Sequence, residues 1–331
     1  METPAMPPAA PPVLRNLHGL TMGTTWSVRL VAPPALSMEA AQRGVQVELD
    51  LVDGQMSTYK PASALSQYNT APAGTWQSLP AELFAVFERA LALARDTGGA
   101  YDPTVGPLVE LWGFGPGGAR REPPPPAAIA AARSRAGWWR IGLDAATRLA
   151  YQPGGIYVDL SSIAKGYAVD RVGRWLDAAG ATAWLVEVGG ELKARGAKPD
   201  GTPWRVGIER PDAAAGEVER ADQLTRVVTL RDRAIATSGD YRRRFTDGGQ
   251  AYAHHIDPRS GHPVPHAVAS VSVLAGEAIQ ADPLGTTLTV LGPERGLAYA
   301  EEHGLAVLFL LRGDRGFEER MSSAFAAALE P

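Results

Sequence analysis

Four segments of the 331-residue chain gather Gly, Asp, Thr and Ser in patterns that could do chemistry. In Gln280-Ala281-Asp282-Pro283-Leu284-Gly285-Thr286-Thr287, Asp282 and Thr286 stand four apart and share one face if the segment is helical. A carboxylate and a hydroxyl so placed are hard oxygen donors suited to Mg²⁺, which shares its shell with substrate phosphates. The same pair also reads as a helix cap, with Thr286 bonding back to a carbonyl. A second segment, Val158-Asp159-Leu160-Ser161-Ser162-Ile163-Ala164-Lys165-Gly166-Tyr167, sends a strand into a helix that begins near Ser162. Free amides and the positive end of the macrodipole suit a phosphate there, and Lys165 in the first turn adds a point charge. A capping serine beside a solvated lysine is the plainer account.

A third segment holds Ala236-Thr237-Ser238-Gly239-Asp240-Tyr241, three arginines (Arg242, Arg243, Arg244), His254-His255-Ile256-Asp257-Pro258 and Ser260-Gly261. Its hydroxyls and imidazoles suit pyrophosphate contact or proton transfer. It also reads as turn chemistry beside a solvated arginine run. The fourth segment, Tyr101-Asp102-Pro103-Thr104-Val105-Gly106, followed by Leu111-Trp112-Gly113-Phe114-Gly115, is either a rigid turn leading into a packed aromatic or a ligand wall.

The elements that must position these groups follow from periodicity and punctuation. Trp26, Val28 and Leu30 alternate with Ser27 and Arg29 as in a half-buried strand, which is expected to open the fold. Ser37 caps a helix in which Val45, Leu49, Val52 and Met56 recur at helical spacing. A second helix over residues 81–96 starts after Pro80 and stops at Gly98-Gly99. The glycine-rich residues 113–118 and the four prolines 123–126 predict a surface loop. Strand-like runs at 138–141, 156–159, 184–188, 204–208, 226–230 and 268–274 are interleaved with helices near 163–179 and 277–291. This pattern favours an α+β fold.

Composition narrows the function. A 45% apolar content supports a large core, and a net charge of −4 without long runs of one sign gives no footprint for nucleic acid. The absence of cysteine excludes disulfides, thiolate nucleophiles, zinc-thiolate sites and iron–sulfur clusters, so any metal is held by oxygen or imidazole. No apolar run is long enough for a transmembrane segment. No Gly-x-Ser-x-Gly elbow accompanies the serines and histidines, which weakens a serine hydrolase reading.

In order along residues 21–311, M-G-T-T-W, Y-D-P-T-V-G-P-L-V-x-L-W-G-F-G, D-L-S-S-I-A-K-G-Y-A-V-D, V-G-G-E-L, A-T-S-G-D-Y, H-x-I-D-P-R-S-G and A-D-P-L-G-T resemble the FAD:protein FMN transferase (ApbE) family. The resemblance implies a T-fold-like α+β architecture of mixed or antiparallel sheets with packed helices, FAD as donor and Mg²⁺ as cofactor. It implies cleavage of FAD, with FMN attached by a phosphoester bond to a Thr or Ser hydroxyl of a target flavoprotein and AMP released. Such targets are subunits of membrane electron-transport complexes.

Carried over by motif, Met22 lies against the flavin, and Ser57 and Tyr59 fall on the FAD-binding wall. Tyr101, Asp102 and Thr104 are further FAD contacts, and Asp159 and Lys165 form an FAD-binding pair. The Ser162 backbone carbonyl, the Asp282 carboxylate and the Thr286 hydroxyl are the metal ligands. His254 touches the pyrophosphate or moves a proton, and either His254 or Asp282 is the general base. Ser161 and Ser162 replace the family's usual glycine or alanine. Pro283 replaces a usual alanine, and a proline there fits only near a helix start.

The expected organisation is a leader at residues 1–16, the transferase domain at 17–315 and a C-terminal helix or tail at 316–331. Alternatives are an FAD pyrophosphatase giving FMN and AMP, and a non-catalytic FAD-binding protein. Relatives act on the outer side of the bacterial cytoplasmic membrane, often as lipoproteins, but this sequence shows neither a signal peptide nor a lipid-attachment cysteine and assigns no compartment.

Overall fold

Trp26, Val28 and Leu30 are buried on alternate positions of a strand that pairs on both sides. The computed structural model describes residues 13–115, 117–211, 224–239, 244–248, 250–265, 267–314 and 316–329. In chain order its first elements are β1 (Leu14–Thr21), β2 (Thr24–Val31), α1 (Met38–Met56), α2 (Ala64–Thr70), β3 (Thr75–Ser78) and α3 (Ala81–Asp96). Then come α4 (Gly106–Leu111), α5 (Pro126–Arg133), β4 (Leu143–Asp144), β5 (Leu149–Gln152), α6 (Ala164–Ala178), β6 (Ala183–Val188) and β7 (Glu191–Arg195). They are followed by β8 (Trp204–Glu209), β9 (Leu224–Leu230), β10 (Ala234–Gly239), β11 (Arg244–Asp247), β12 (Gln250–Ala253), β13 (Ile256–Asp257), β14 (His262–Pro263) and β15 (Val268–Ala275). The chain ends with α7 (Ala278–Leu291), α8 (Pro293–Glu302), β16 (Ala306–Gly313), β17 (Gly316–Met321) and α9 (Ser323–Leu329).

The expected α+β class holds. Eight strands form one antiparallel sheet in the order β1-β2-β6-β7-β10-β15-β16-β17. Both faces of its centre are covered, so strand side chains are apolar on both sides. Trp184, Val186 and Val188 of β6 pack with α1, α3 and α6, whereas Ala183 and Leu185 pack with β8, β9 and Phe325 of α9. Ala281, Leu284 and Leu288 of α7 seat on Val271, Val273, Val307 and Phe309. Ser37 caps α1, its Oγ accepting the Ala40 N–H at 3.1 Å, and Val45, Leu49, Val52 and Met56 form the buried stripe. Replacing Leu49 with Ala would cost about 2–5 kcal/mol, the usual range for a fully buried leucine.

Several expectations are corrected. β1 precedes the strand expected to open the fold; it is an edge strand in which only Leu17 and Thr21 are buried, so it lacks a clear alternating signal. It starts inside the expected leader, and β17 lies past the expected boundary at 316 yet completes the main sheet. Residues 138–141 are not a strand: Trp138–Arg140 form a 3₁₀ turn, with the Arg140 N–H bonded to the Gly137 carbonyl at 3.0 Å. Residues 156–159 have no strand partner. The Asn69 side chain acts in its place, donating to the Val158 carbonyl and accepting the Val158 N–H, both at 2.8 Å. Of the proline run, 123–125 precede α5 and Pro126 opens it, while Pro124 is buried rather than exposed. Pro283 sits inside α7, in its second turn and not at its start. Residues 1–12, Pro116 and residues 240–243, with Asp240, Tyr241, Arg242 and Arg243, lie outside the described residues.

Candidate active site

Residues from three elements meet where α6 begins. Gly189 and Gly190, with φ of 58° and 100°, make a tight turn that delivers Glu191 to the first position of β7. Lys165, in the first turn of α6, donates a short hydrogen bond to Glu191 Oε1. Asp282 reaches across from α7, and its Oδ2 accepts the Gly166 N–H at 2.9 Å. Both carboxylates are buried, and they are hydrogen-bonded to each other.

Two carboxylates this close cannot both hold full charge away from water. Burial pushes the Glu191 carboxyl up to about 8, with neighbouring Asp282 adding to the rise and Lys165 opposing it. Asp282 is also raised by burial, while the Lys165 charge, the Gly166 N–H and the bond from Glu191 counter the rise. Both shifts run the same way, so the buried pair favours holding a proton between them. Glu191 is the acidic residue of the V-G-G-E-L motif, to which the resemblance attaches no site role. A carboxylate at a strand start directly behind two glycines is the signal that would have found it.

The environment of Asp282 does not match the helix-cap reading. The N-cap of α7 is Glu277, so Asp282 does not cap its own helix. Thr286 lies with its Oγ1 3.4 Å from Ser238 Oγ, and the back-bonding threonines of this helix are Thr287 and Thr289. Ser162 is half-buried just before α6, and its Oγ donates to the Tyr101 hydroxyl at 3.3 Å. Burial raises the Tyr101 phenol further than the charges of Asp282, Asp159 and Asp102 do. Tyr101, Ser162, Asp159 and Asp282 thus share one neighbourhood.

The other expected residues fall into three settings. Met22 holds a left-handed φ of 46° in the β1–β2 turn and packs half-buried against the core. Ser57 ends α1 and its Oγ accepts the Tyr59 N–H at 3.1 Å, leaving Tyr59 67% exposed as an apolar face with no covering. Asp159 accepts the Ser161 N–H at 2.8 Å, and its charge reaches Tyr157 and Tyr101.

Asp102 and Thr104 do not form an open wall. Asp102 Oδ1 accepts both the N–H and the hydroxyl of Thr104, at 2.8 and 2.6 Å, and Thr104 Oγ1 accepts the Gly137 N–H at 2.6 Å. Both side chains are buried in this turn, so any ligand contact at these positions is through backbone.

His254 sits 4.1 Å from the His255 ring and 6.4 Å from Phe114, beside the stacked rings of Trp112, Tyr252 and Phe245. The structure places it with this aromatic group. The Asp257 turn is turn chemistry as expected: the Gly261 N–H bonds the Asp257 carbonyl at 2.7 Å, and Arg259 forks onto its carboxylate with two bonds of 2.8 Å.

The donors suit a hard cation. Among the described residues no group of three or more His, Cys, Asp or Glu side chains could hold a metal, so its shell would need hydroxyl, carbonyl and non-protein oxygens. Asp282, Thr286 and the Ser162 carbonyl are of that kind.

An antiparallel sheet backed by helices, with a lysine and two carboxylates gathered at a helix start, defines an α+β protein with a buried polar cluster at the start of α6. The ApbE family profile matches residues 22–309. The FAD:protein FMN transferase of Haemophilus influenzae is 40% identical over 95% of this chain and 91% of its own length, and that of Vibrio cholerae 39% over 94% and 91%. The crystal structure of the Pseudomonas stutzeri flavinyl transferase ApbE, apo form, superposes with a TM-score of 0.88 at 37% identity, covering 97% of this chain and 98% of that one. The flavin transferase ApbE from Vibrio cholerae superposes with a TM-score of 0.86 at 38% identity over 96% and 100%. The chain belongs to the ApbE family.

Proposed function

We propose that the protein cleaves FAD and joins its FMN half, through a phosphoester bond, to a Thr or Ser hydroxyl of a target flavoprotein. The observation that carries this reading is the convergence of Lys165, Glu191 and Asp282 at the start of α6, with Thr286 one helical turn beyond Asp282 on α7, in a chain whose relatives carry the name FAD:protein FMN transferase. The targets are subunits of membrane electron-transport complexes. Among the described residues no helix is long and apolar enough to cross a membrane.

In the reaction the acceptor oxygen attacks the phosphorus of the FMN half. The bond from that phosphorus to the bridging oxygen breaks, AMP leaves with the electron pair, and the hydroxyl proton passes to a base. Such transfers depend mainly on positioning and charge neutralisation. Lys165 and the first amides of α6 bind the pyrophosphate. Met22 and Tyr59 bind the flavin side, and Tyr101 and Asp159 line the space between. Asp282, Thr286 and the Ser162 carbonyl would hold Mg²⁺, which would supply neutralisation of the phosphate charge. Asp282 and His254 are the two groups with the chemistry to take the proton, and pH–rate profiles of Asp282→Asn and His254→Gln separate them.

The test is intact mass spectrometry of a target fragment bearing the acceptor threonine, incubated with the protein, FAD and Mg²⁺ beside an Asp282→Ala control. A mass gain of one esterified FMN, lost in the control, is expected. AMP release without the adduct would instead mark an FAD pyrophosphatase, and tight FAD binding with neither product a flavin-binding protein.

A further inference from the structure

Asp170 is 1% exposed, one turn beyond Gly166 on α6, and no step of the reaction uses it. The N-cap of α7, Glu277, makes no side-chain capping bond. Asp170 supplies those bonds from the neighbouring helix: its Oδ1 accepts the Ala278 N–H at 3.2 Å and its Oδ2 the Ile279 N–H at 2.8 Å. Lys193 of β7 donates to Oδ1 at 2.7 Å, so the buried charge is paired. In the opposite direction Asp282 of α7 accepts the Gly166 N–H at the start of α6. Each helix start is capped by a carboxylate of the other helix. The two clamps lie about one turn, roughly 5–6 Å, apart along each axis. A single clamp would permit α7 to pivot, whereas two fix both its rotation and its slide. Gly166 permits the close approach: a Cβ there would lie 2.3 Å from the Ala278 carbonyl oxygen and 2.9 Å from Asp282 Cβ.

We propose that Asp170, held by Lys193, is a positioning residue that sets the register of α7 on α6 and so aims Asp282 and Thr286 together at the cation. This inference rests on the reading of Asp282 and Thr286 as cation ligands. Asp170 touches neither substrate nor cation; it acts through the first turn of α7.

The test uses the full-length, FAD-loaded protein and Mn²⁺ followed by electron paramagnetic resonance as the cation probe. FAD affinity without metal is read by flavin fluorescence, and thermal stability is read in parallel. Asp170→Asn keeps an acceptor but loses the charge and one cap; Lys193→Gln keeps both caps and loosens the carboxylate. Val228→Ala, on the far face of the sheet, supplies a loss of stability without touching the clamp.

Asp170→Asn is expected to weaken Mn²⁺ binding about tenfold or more, in line with other residues that orient ligands without touching the metal, and Lys193→Gln by roughly threefold. Val228→Ala should leave Mn²⁺ binding unchanged, and FAD affinity should stay within about twofold in all three. Unchanged Mn²⁺ affinity in Asp170→Asn, or in Lys193→Gln if the first variant does not fold, would show that the clamp serves stability alone and overturn the proposal. If Asp282→Ala abolishes Mn²⁺ binding in that case, the cation reading survives. If Asp282→Ala binds Mn²⁺ as the wild type does, the cation reading fails and the proposal with it.

Discussion

Asp102-Pro103 and Asp282-Pro283 are the same dipeptide in two settings. Both aspartates are buried, and burial raises the carboxyl of each above its ordinary value. Asp102 spends its oxygens on its own loop region: Thr104 supplies two bonds and the Trp138 N–H a third, longer one at 3.4 Å. No cation pairs with it among these contacts, and its work is to close a turn. Asp282 takes its hydrogen bond from a residue 116 positions away and shares a pocket of charge with Glu191 and Lys165. A buried carboxylate satisfied by neutral local donors is architecture. One crowded against a second carboxylate and an ammonium holds charge in a state that a ligand can change.

The sharpest way to break this comparison is to remove each carboxylate. Asp282→Ala is expected to lower FMN transfer by about a thousandfold or more, the scale of losing a group that acts on transition-state charge. Thermal stability should fall by only about 1–3 kcal/mol, the cost of leaving the Gly166 N–H unpaired, so the loss of rate far exceeds the loss of fold. Transfer kinetics beside differential scanning calorimetry read both effects. Asp102→Ala should also cost about 1–3 kcal/mol by leaving buried donors unpaired, while transfer per folded molecule stays within about tenfold. Denaturant titration with active-site counting checks it, and a thousandfold loss of rate in this variant would erase the distinction.

Gly166→Ala sharpens the geometry, since the added methyl meets the Ala278 carbonyl. It should cost about 1–3 kcal/mol and lower transfer with it, read by the same two assays.

The smallest effect is a slope against pH. Glu191 titrates near 8 in the folded protein against 4.5 as its ordinary value, so between these limits the folded state holds a proton that the unfolded chain has lost. That contribution is fully present below about 4.5 and is lost as pH rises through about 8, beyond which it is flat. Glu191→Gln removes the titration. The melting temperature of this variant should therefore gain on the wild type by several degrees between pH 5 and 8, then run parallel to it. A constant difference across that range would place the shared proton elsewhere.

What the sequence disclosed follows the range of the interactions. α3 was legible to the residue because Pro80 and Gly98-Gly99 punctuate it, and α1 because Ser37 caps a buried stripe of four. Trp138-Trp139-Arg140 carries strand-like composition, but i→i+3 bonds and the Asp102–Thr104 turn set its shape. Ile156 to Asp159 carries strand-like composition too, but its partner is the side chain of Asn69, 89 residues from Val158, which no periodicity announces. Motif resemblance named Lys165, Asp282 and Thr286. Glu191 and Asp170 stand inside the V-G-G-E-L and D-L-S-S-I-A-K-G-Y-A-V-D motifs without a role, because their meaning depends on which strands and helices lie side by side.

That dependence also orders events in time. The chain between Gly166 and Asp282 supplies β6, β7, β10 and β15 of the sheet, so their contact is a long-range one that depends on the sheet's assembly. Closing a loop of that length costs roughly 4 kcal/mol of chain entropy beyond a fixed term, and sheets built from distant strands assemble slowly. A partly folded chain can hold helical α1 and α3 without the Lys165–Glu191–Asp282 cluster being assembled. The assembled centre therefore arrives with the completed sheet, and an unfinished molecule lacks it.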